Sequence, residues 1–572
     1  MASPDLKLAW AKTKDVLRQT RQRIRGIYTD KLIQRDLEET IQAAAFLKSA
    51  SLPPANGRLA LVPVTNSKPF ECKLMAMLAL GLRLAGWRVR VLLVARTYLW
   101  ARRYLAAFGF DDFEYCEDYR LDRGEKQVCA KAAEALLAGR LTFGSVKEWH
   151  YRECWIGPNI LASLSRETHQ GTPDPSDPAM RSRLERILPK SLQTIHVAEK
   201  IVAAIRPDLM FLIEPNYSKN GPLTDVAIKF GVDFIHTAGC PRDDALMMRR
   251  LTHNNRRAHP SAITSANLMR LHREPWTERE ERELQDIFQA RYSGRWVLQK
   301  FHQLGTRAFD RTEIYRALQL DPARKVAIVF SHVLWDANLF YGEDLFEDYG
   351  HWFIETVKAA CANPGVNWLI KLHPVNAWKL KRDGGAKARL AELDLIEAHI
   401  GPVEKLPAHV RLLHPECEIS SWSLFQVADY GVTVRGTIST EMPCLGIPVF
   451  TAGTGRAHGL GFTIDSTSRA EFLRRMARIQ EVPPLTAEQT ALARRHAHSI
   501  FVRRPWLMKT FRPEYGDYST NANPLAQNIR LVARSLEEIQ ANGDLRAWAE
   551  YAGLPEQIDY LQASPPVSRA RE

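Results

Sequence analysis

The strongest constraint on how this chain folds lies between Lys325 and Val449, where short apolar runs alternate with helical stretches. Lys325-Val-Ala-Ile-Val-Phe330, the run at 367–372, Val410-Arg-Leu-Leu413, Tyr430-Gly-Val-Thr-Val434 and Ile447-Pro-Val-Phe450 read as strands. Helices are expected at 351–361 and 377–399, with a further short element at 423–427. Continuously apolar strands separated by a helix's worth of chain pair in parallel, because a tight turn cannot return the chain in the same direction. Several of these runs give way to polar or ionisable residues: Ser331-His332, then Lys371-Leu-His373-Pro374, then Arg435-Gly-Thr-Ile-Ser-Thr-Glu441. Open parallel sheets bind ligands at that carboxyl edge.

A similar alternation precedes it. After the turn-forming Pro53-Pro54-Ala55-Asn56-Gly57, strands are expected at 58–64 and 88–94 around a helix ending at Leu84. The loop between the first strand and that helix lacks a G-x-G-x-x-G pattern, so nothing marks a dinucleotide site. Residues 95–195 read as mostly helical, with a loop at 171–178. Strands return at 207–213, ending in Glu214-Pro215-Asn216, and at 232–236. The expected fold class is α/β, with two doubly wound Rossmann-like domains facing a cleft and helical extensions at both ends. The expected divisions are a helical N-terminal extension at 1–52, a first domain at 53–290, a second at 291–480, and a mostly helical segment at 481–572 that packs back on the first. The charged stretch 274–320 reads as a helical bridge.

A chain of 572 residues exceeds one hydrophobic core, and 45% apolar with 25% charged residues is ordinary globular composition. Lys and Arg outnumber the acids 78 to 65, a net charge of +13 that favours anionic partners without choosing among them. Eight cysteines, at 72, 116, 129, 154, 240, 361, 417 and 444, form no C-x-x-C pair. Neither a zinc site nor a disulfide framework is expected, and a reducing cytoplasm fits. The N-terminus does not read as a signal peptide, and no run of about 18 apolar residues suggests a membrane span. Any membrane contact is expected to be peripheral. Residues 4–50 place Leu6, Ala9, Trp10, Val16, Ile24 and Ile27 among many cations, either as a surface helix on anionic lipid or as a packed helix with a solvated face.

A strand ending in Lys371-Leu-His373-Pro374 delivers a cation and an imidazole to the sheet edge, where a phosphate takes hydrogen bonds from both. At the turn beginning with Arg435, Ser439 or Thr440 is expected to cap a helix whose first amides receive an anion. Glu441 either complements the helix dipole or accepts from ribose hydroxyls. Ser331 and His332 sit where a donor phosphate or sugar approaches, with Asp336 expected to orient His332. For a general base the candidates are Glu214, Glu71 and Asp244 with its neighbour Asp243, each also readable as a helix cap or a solvated acid. Arg249-Arg250 and Arg256-Arg257 read as a solvated face or as a guide for an acidic glycan. They lack the interleaved aromatics of a nucleic-acid surface, so no nucleic-acid partner is expected.

The K-x-H-P motif at 371–374, the hydroxyl-rich turn with Glu441, and Gly446-Ile-Pro-Val449 together resemble the donor half of GT-B glycosyltransferases. The closest likeness is to bacterial capsule and surface polysaccharide biosynthesis proteins, including the sialyltransferase and Kdo-transferase group. The likeness extends to Ser331-His-Val-Leu-Trp-Asp-Ala-Asn338, Asp344-Leu-Phe-Glu-Asp-Tyr349 and Trp352. It covers roughly 325–465 and reaches the first half only by architecture. The resemblance implies phosphate roles for His373, Ser439 and Thr440 and a ribose role for Glu441. The acidic base motif that some members carry in their first half has no counterpart here. The implied activity is transfer from a nucleotide sugar to a polysaccharide or lipid-linked glycan, without a cofactor or a bound metal, since no D-x-D motif stands out. The alternatives are a nucleotide-sugar epimerase and a noncatalytic assembly or export factor.

Overall fold

A computed structural model describes residues 29–296, 305–336, 339–376, 389–516 and 523–562. The expected apolar positions from Leu6 to Ile27 lie outside these residues. Two compact units divide the chain: one holds the described residues up to Asp118 together with Met508–Glu550, and the other holds Tyr119–Leu507 with the described residues from Tyr551 onward.

In the first unit, β1 (Leu59–Val64), β2 (Arg88–Leu93) and β3 (Phe113–Tyr115) pair in parallel, Leu59 opposite Arg88 and Val91 opposite Phe113. Between β1 and β2 runs α1 (Pro69–Leu84), opened by a proline whose missing N–H costs nothing at a helix start. The C-terminal strands Phe511–Tyr515 and Gln527–Leu531 form an antiparallel hairpin in this unit, so the tail expected to be mostly helical also contributes strands. Asp36 joins the hairpin to the N-terminal residues. Its carboxylate takes Lys73 Nζ at 2.8 Å, the Tyr104 hydroxyl at 2.7 Å and Asn528 Nδ2 at 2.8 Å. Gly81 on α1 gives Trp548 its place, for a Cβ there would stand 2.8 Å from the indole.

Among its described residues the second unit contains two larger sheets and a two-stranded one, His150–Tyr151 with Cys154–Trp155. In one larger sheet, β4 (Leu209–Leu212) runs parallel to β5 (Asp233–Gly239), while β6 (Ala245–Leu251) and Pro505–Leu507 add antiparallel strands. Arg249 and Arg250 lie on β6, buried rather than solvated. Arg250 Nε meets Asp233 at 2.6 Å and its Nη2 donates to Ala552 O at 2.9 Å, and Arg249 pairs with buried Asp559. The expected basic face is thus half structural.

The other larger sheet is wholly parallel. Its strands are β7 (Lys325–Phe330), β8 (Val366–Lys371), β9 (Val410–Leu413), β10 (Tyr430–Thr433), β11 (Val449–Thr451) and β12 (Ile464–Asp465), ordered β9-β8-β7-β10-β11-β12. Alternate side chains serve opposite faces: Val326 and Ile328 join Leu369 and Leu413, whereas Ala327 and Val329 join Trp352, Trp368 and Phe450. Both faces are covered, which is why these strands read as unbroken apolar runs. The order reverses between β7 and β10, the first and fourth of the six, and a crevice opens there at the carboxyl ends. No described helix is long and apolar enough to cross a membrane.

Candidate functional site

A pocket of about 120 Å³ occupies that crevice. Ser331 and His332 reach it from the end of β7, Lys371 and His373 from β8, and Thr433 and Gly436 from β10. Backbone pairing fixes these ends. Ser331 N–H donates to Lys371 O at 3.0 Å, and the His373 amide donates to Ser331 Oγ at 2.9 Å. Val375 N–H donates to His373 Nδ1 at 3.3 Å, which places the proton of the neutral ring on Nε2 as a donor. Behind Ser331 lies Glu392, 1% exposed, accepting from Asn376 Nδ2 at 2.5 Å and from the Ser331 hydroxyl at 3.4 Å. Burial pushes the Glu392 carboxyl up to about 7.

Lys371 is 4% exposed, and burial lowers the pKa of its ammonium. No carboxylate among the described residues stands within ion-pair distance of it. Taking a cation out of water without a partner is costly.

Arg291, on the helix Glu278–Tyr292, enters the same pocket. Its Nε donates to Glu441 Oε1 at 2.8 Å, and both side chains are buried. Sequence reasoning missed Arg291. It lies far from Glu441 along the chain, in a segment that reads as a charged helical bridge, and no local pattern signals the pair. Nη1 of Arg291, Nε and Nη1 of Arg435 and Nε of Arg456 are buried without hydrogen-bond partners among the described residues. Arg435 is also tied to Asp344. Arg456 faces His259 Nε2 at 2.8 Å, and burial draws its pKa down to about 10.

His332 stacks on Tyr349 with ring centroids 4.3 Å apart. Its Nε2 accepts from Val434 N–H at 3.3 Å and lies 3.1 Å from Thr433 Oγ1, which orients the ring, while Asp336 accepts from the Tyr217 hydroxyl at 3.0 Å. Burial, then the charges of Arg435 and Arg456, depress the His332 pKa to about 3, so it is a neutral wall at physiological pH.

Of the expected residues the pocket brings together Ser331, His332, Lys371, His373 and Glu441, and leaves others outside. The short helix Ile438–Glu441 is preceded by Thr437, so Ser439 and Thr440 lie within it rather than capping it. Ser439 Oγ donates to Gly436 O at 2.8 Å, and Thr440 is fully buried. Thr437 and Gly436 line the pocket instead. Arg435 stands behind the pocket against Asp344. Glu71 is in the first unit on α1, accepting from Asn66. Asp244 is held by Arg242 at 2.9 Å in the β5–β6 turn. Glu214 ends β4 half-buried. Burial, then the charges of Asp336 and Glu214, push the Tyr217 hydroxyl well above its usual range. Among the described residues no group of three or more His, Cys, Asp or Glu is arranged to hold a metal ion.

A second, wider cavity of about 710 Å³ lies in the same unit, lined by Trp155, Arg256 and Arg257 on one side and by Glu343 and Asp344 on another.

No known protein family and no curated protein matches the chain. Distant likenesses exist among solved structures. A KpsC beta-Kdo 2,4-transferase of Thermosulfurimonas dismutans is 13% identical over 59% of this chain and 87% of its own, with a TM-score of 0.31. A UDP-GlcNAc 2-epimerase of Neisseria meningitidis, bound to UDP-GlcNAc, is 11% identical over 77% and 96%, with a TM-score of 0.25. The spinosyn rhamnosyltransferase SpnG is 13% identical over 77% and 95%, with a TM-score of 0.23. Superpositions this loose leave fold and site to be argued from the chain's own strands and side chains, and those describe an α/β protein with an unneutralised cationic pocket at the point where its parallel sheet reverses order.

Proposed function

We propose that this chain is a GT-B glycosyltransferase that moves a sugar from a nucleotide-sugar donor to a growing surface or capsular polysaccharide or its lipid-linked acceptor. The observation that carries the reading is Lys371, a buried ammonium without an acidic partner among the described residues, at the switch point of a parallel sheet. The unpartnered Nη1 of Arg291, which lines the same pocket, supports it, since a ligand there can supply the acceptor. In this reading Lys371 and the Nε2–H of His373 take the donor phosphate, and Glu441, fixed by Arg291, accepts from ribose hydroxyls. As the bond to the sugar breaks, charge develops on the phosphate, and preorganised donors in a dry site stabilise it. The acceptor hydroxyl needs a base, and Glu214, half-buried at the end of β4, remains the first candidate. Eight free thiols suit a reducing compartment and support a reaction on the cytoplasmic side, with peripheral membrane contact where the acceptor is lipid-linked.

A thermal-shift screen with CMP, CDP, UDP and GDP tests the donor site. One nucleotide is expected to raise the melting temperature, and a ligand at a hundred times its Kd adds about 2.7 kcal/mol of stability. No shift with any of the four overturns the assignment. Incubation with the matching nucleotide sugar alone is expected to leave its sugar configuration unchanged, whereas isomerisation without acceptor identifies an epimerase.

A further inference from the structure

The wider cavity differs from the donor pocket in how its charges are arranged. Arg256 Nε sits 2.7 Å from Asp225, Arg257 Nη1 sits 2.5 Å from Glu343, and Lys229 lies 3.2 Å from Glu199 and 3.5 Å from Glu153. Lys147 donates to Glu347 O at 3.0 Å. Each of these cations already has an oxygen partner, and the lining holds five carboxylates against four Lys and Arg side chains. In a protein of net charge +13 this groove is locally balanced: three of its four Lys and Arg side chains are ion-paired, and Lys147 meets a backbone carbonyl.

The groove does offer fixed donors beside fixed acceptors. Asp225 holds the wall by accepting both from Arg256 and, at 3.0 Å, from the Trp155 amide. The Arg257 guanidinium lies 4.4 Å over the Trp155 ring. Sugar hydroxyls both donate and accept, and adjacent hydroxyls fit a carboxylate next to a guanidinium. At about 710 Å³ the groove has the size of a ligand cleft. It also approaches the donor pocket, because Asp344 lines it and pairs with Arg435, the residue before Gly436 of that pocket.

We infer that this groove binds the acceptor, and that the acceptor segment it holds is an uncharged, hydroxyl-rich glycan. The inference rests on the glycosyltransferase reading.

The test uses the full chain on an array of immobilised oligosaccharides, some uncharged and some carboxylated or sulfated, with the nucleotide thermal shift measured in parallel. Retention on uncharged members is expected, and Arg257→Gln should weaken it by about tenfold or more. Glu343→Gln, at a largely exposed side chain, serves as a second variant should the first fail to fold. Lys358→Gln, on a surface pair away from the groove, should match wild type. Retention only on acidic members, no retention at all, or wild-type retention by both folded groove variants overturns the inference. A nucleotide shift without uncharged-glycan retention overturns the groove assignment while the donor reading stands. Loss of the nucleotide shift in wild type overturns the donor reading itself.

Discussion

The two cavities of the second unit are built from similar residue types and opposed electrostatics. In the pocket at the sheet's switch point Lys371 is buried with no carboxylate at ion-pair distance among the described residues, and Nη1 of Arg291 lacks an acceptor, whereas the groove's Arg256, Arg257 and Lys229 are ion-paired, with only Nε of Arg257 lacking an acceptor. Unpaired buried cations destabilise the empty protein and reward an anion. Matched ions hold geometry and reward hydrogen bonding. Net charge could not separate these uses, because both cavities count as charged in a tally.

The sharpest way to break the comparison is to remove one arginine from each. Arg291→Ala leaves Glu441 buried without its guanidinium and should cost roughly 3–5 kcal/mol of stability. Arg257→Ala faces a Glu343 side chain that is 66% exposed and should cost about 1 kcal/mol or less. Equal losses in urea unfolding would erase the distinction.

Glu392 sharpens it through pH. Its folded pKa, about 7, is raised above the ordinary 4.5, so its contribution to stability is fully present below 4.5 and is lost as pH rises through 7. Glu392→Gln should therefore leave stability near wild type at pH 4 and gain about 3 kcal/mol at pH 8. A gain independent of pH would show that ionisation of this carboxyl is not the cause.

Lys371→Met should weaken nucleotide binding by about 1.5–3 kcal/mol while leaving the ligand-free protein no less stable, since an unpaired buried charge is removed. Because burial lowers the Lys371 pKa, wild-type affinity should fall as pH rises through that lowered value, and the variant should lose this dependence. Titration calorimetry across the alkaline range reads both. The smallest effect belongs to Glu343→Gln, expected to change melting by less than about 0.5 kcal/mol.

Much of the parallel sheet was legible because period and residue type speak locally. Continuous apolar runs such as Lys325–Phe330 need burial on both faces, and Pro374, just past Lys371, cannot donate to a ladder. The pocket wall from Ser331, Lys371 and His373 followed, since each sits just past or at the end of such a run. Ser439 and Thr440 were misjudged by two and three residues of register, which at a helix start decides between lining a pocket and facing the core. Arg249 and Arg250 were misread because a buried arginine looks like a surface one until its partners are known. Those partners, Asp559, Asp233 and the Ala552 carbonyl, come mostly from distant chain.

By itself the sequence determined the alternation, the parallel sheet and the polar strand ends, because these depend on neighbours a few residues apart. The tertiary structure decided which charges are paired. Arg291 meets Glu441, Arg257 meets Glu343, and Lys371 meets no carboxylate among the described residues, since pairing depends on distances in space that separation along the chain does not encode.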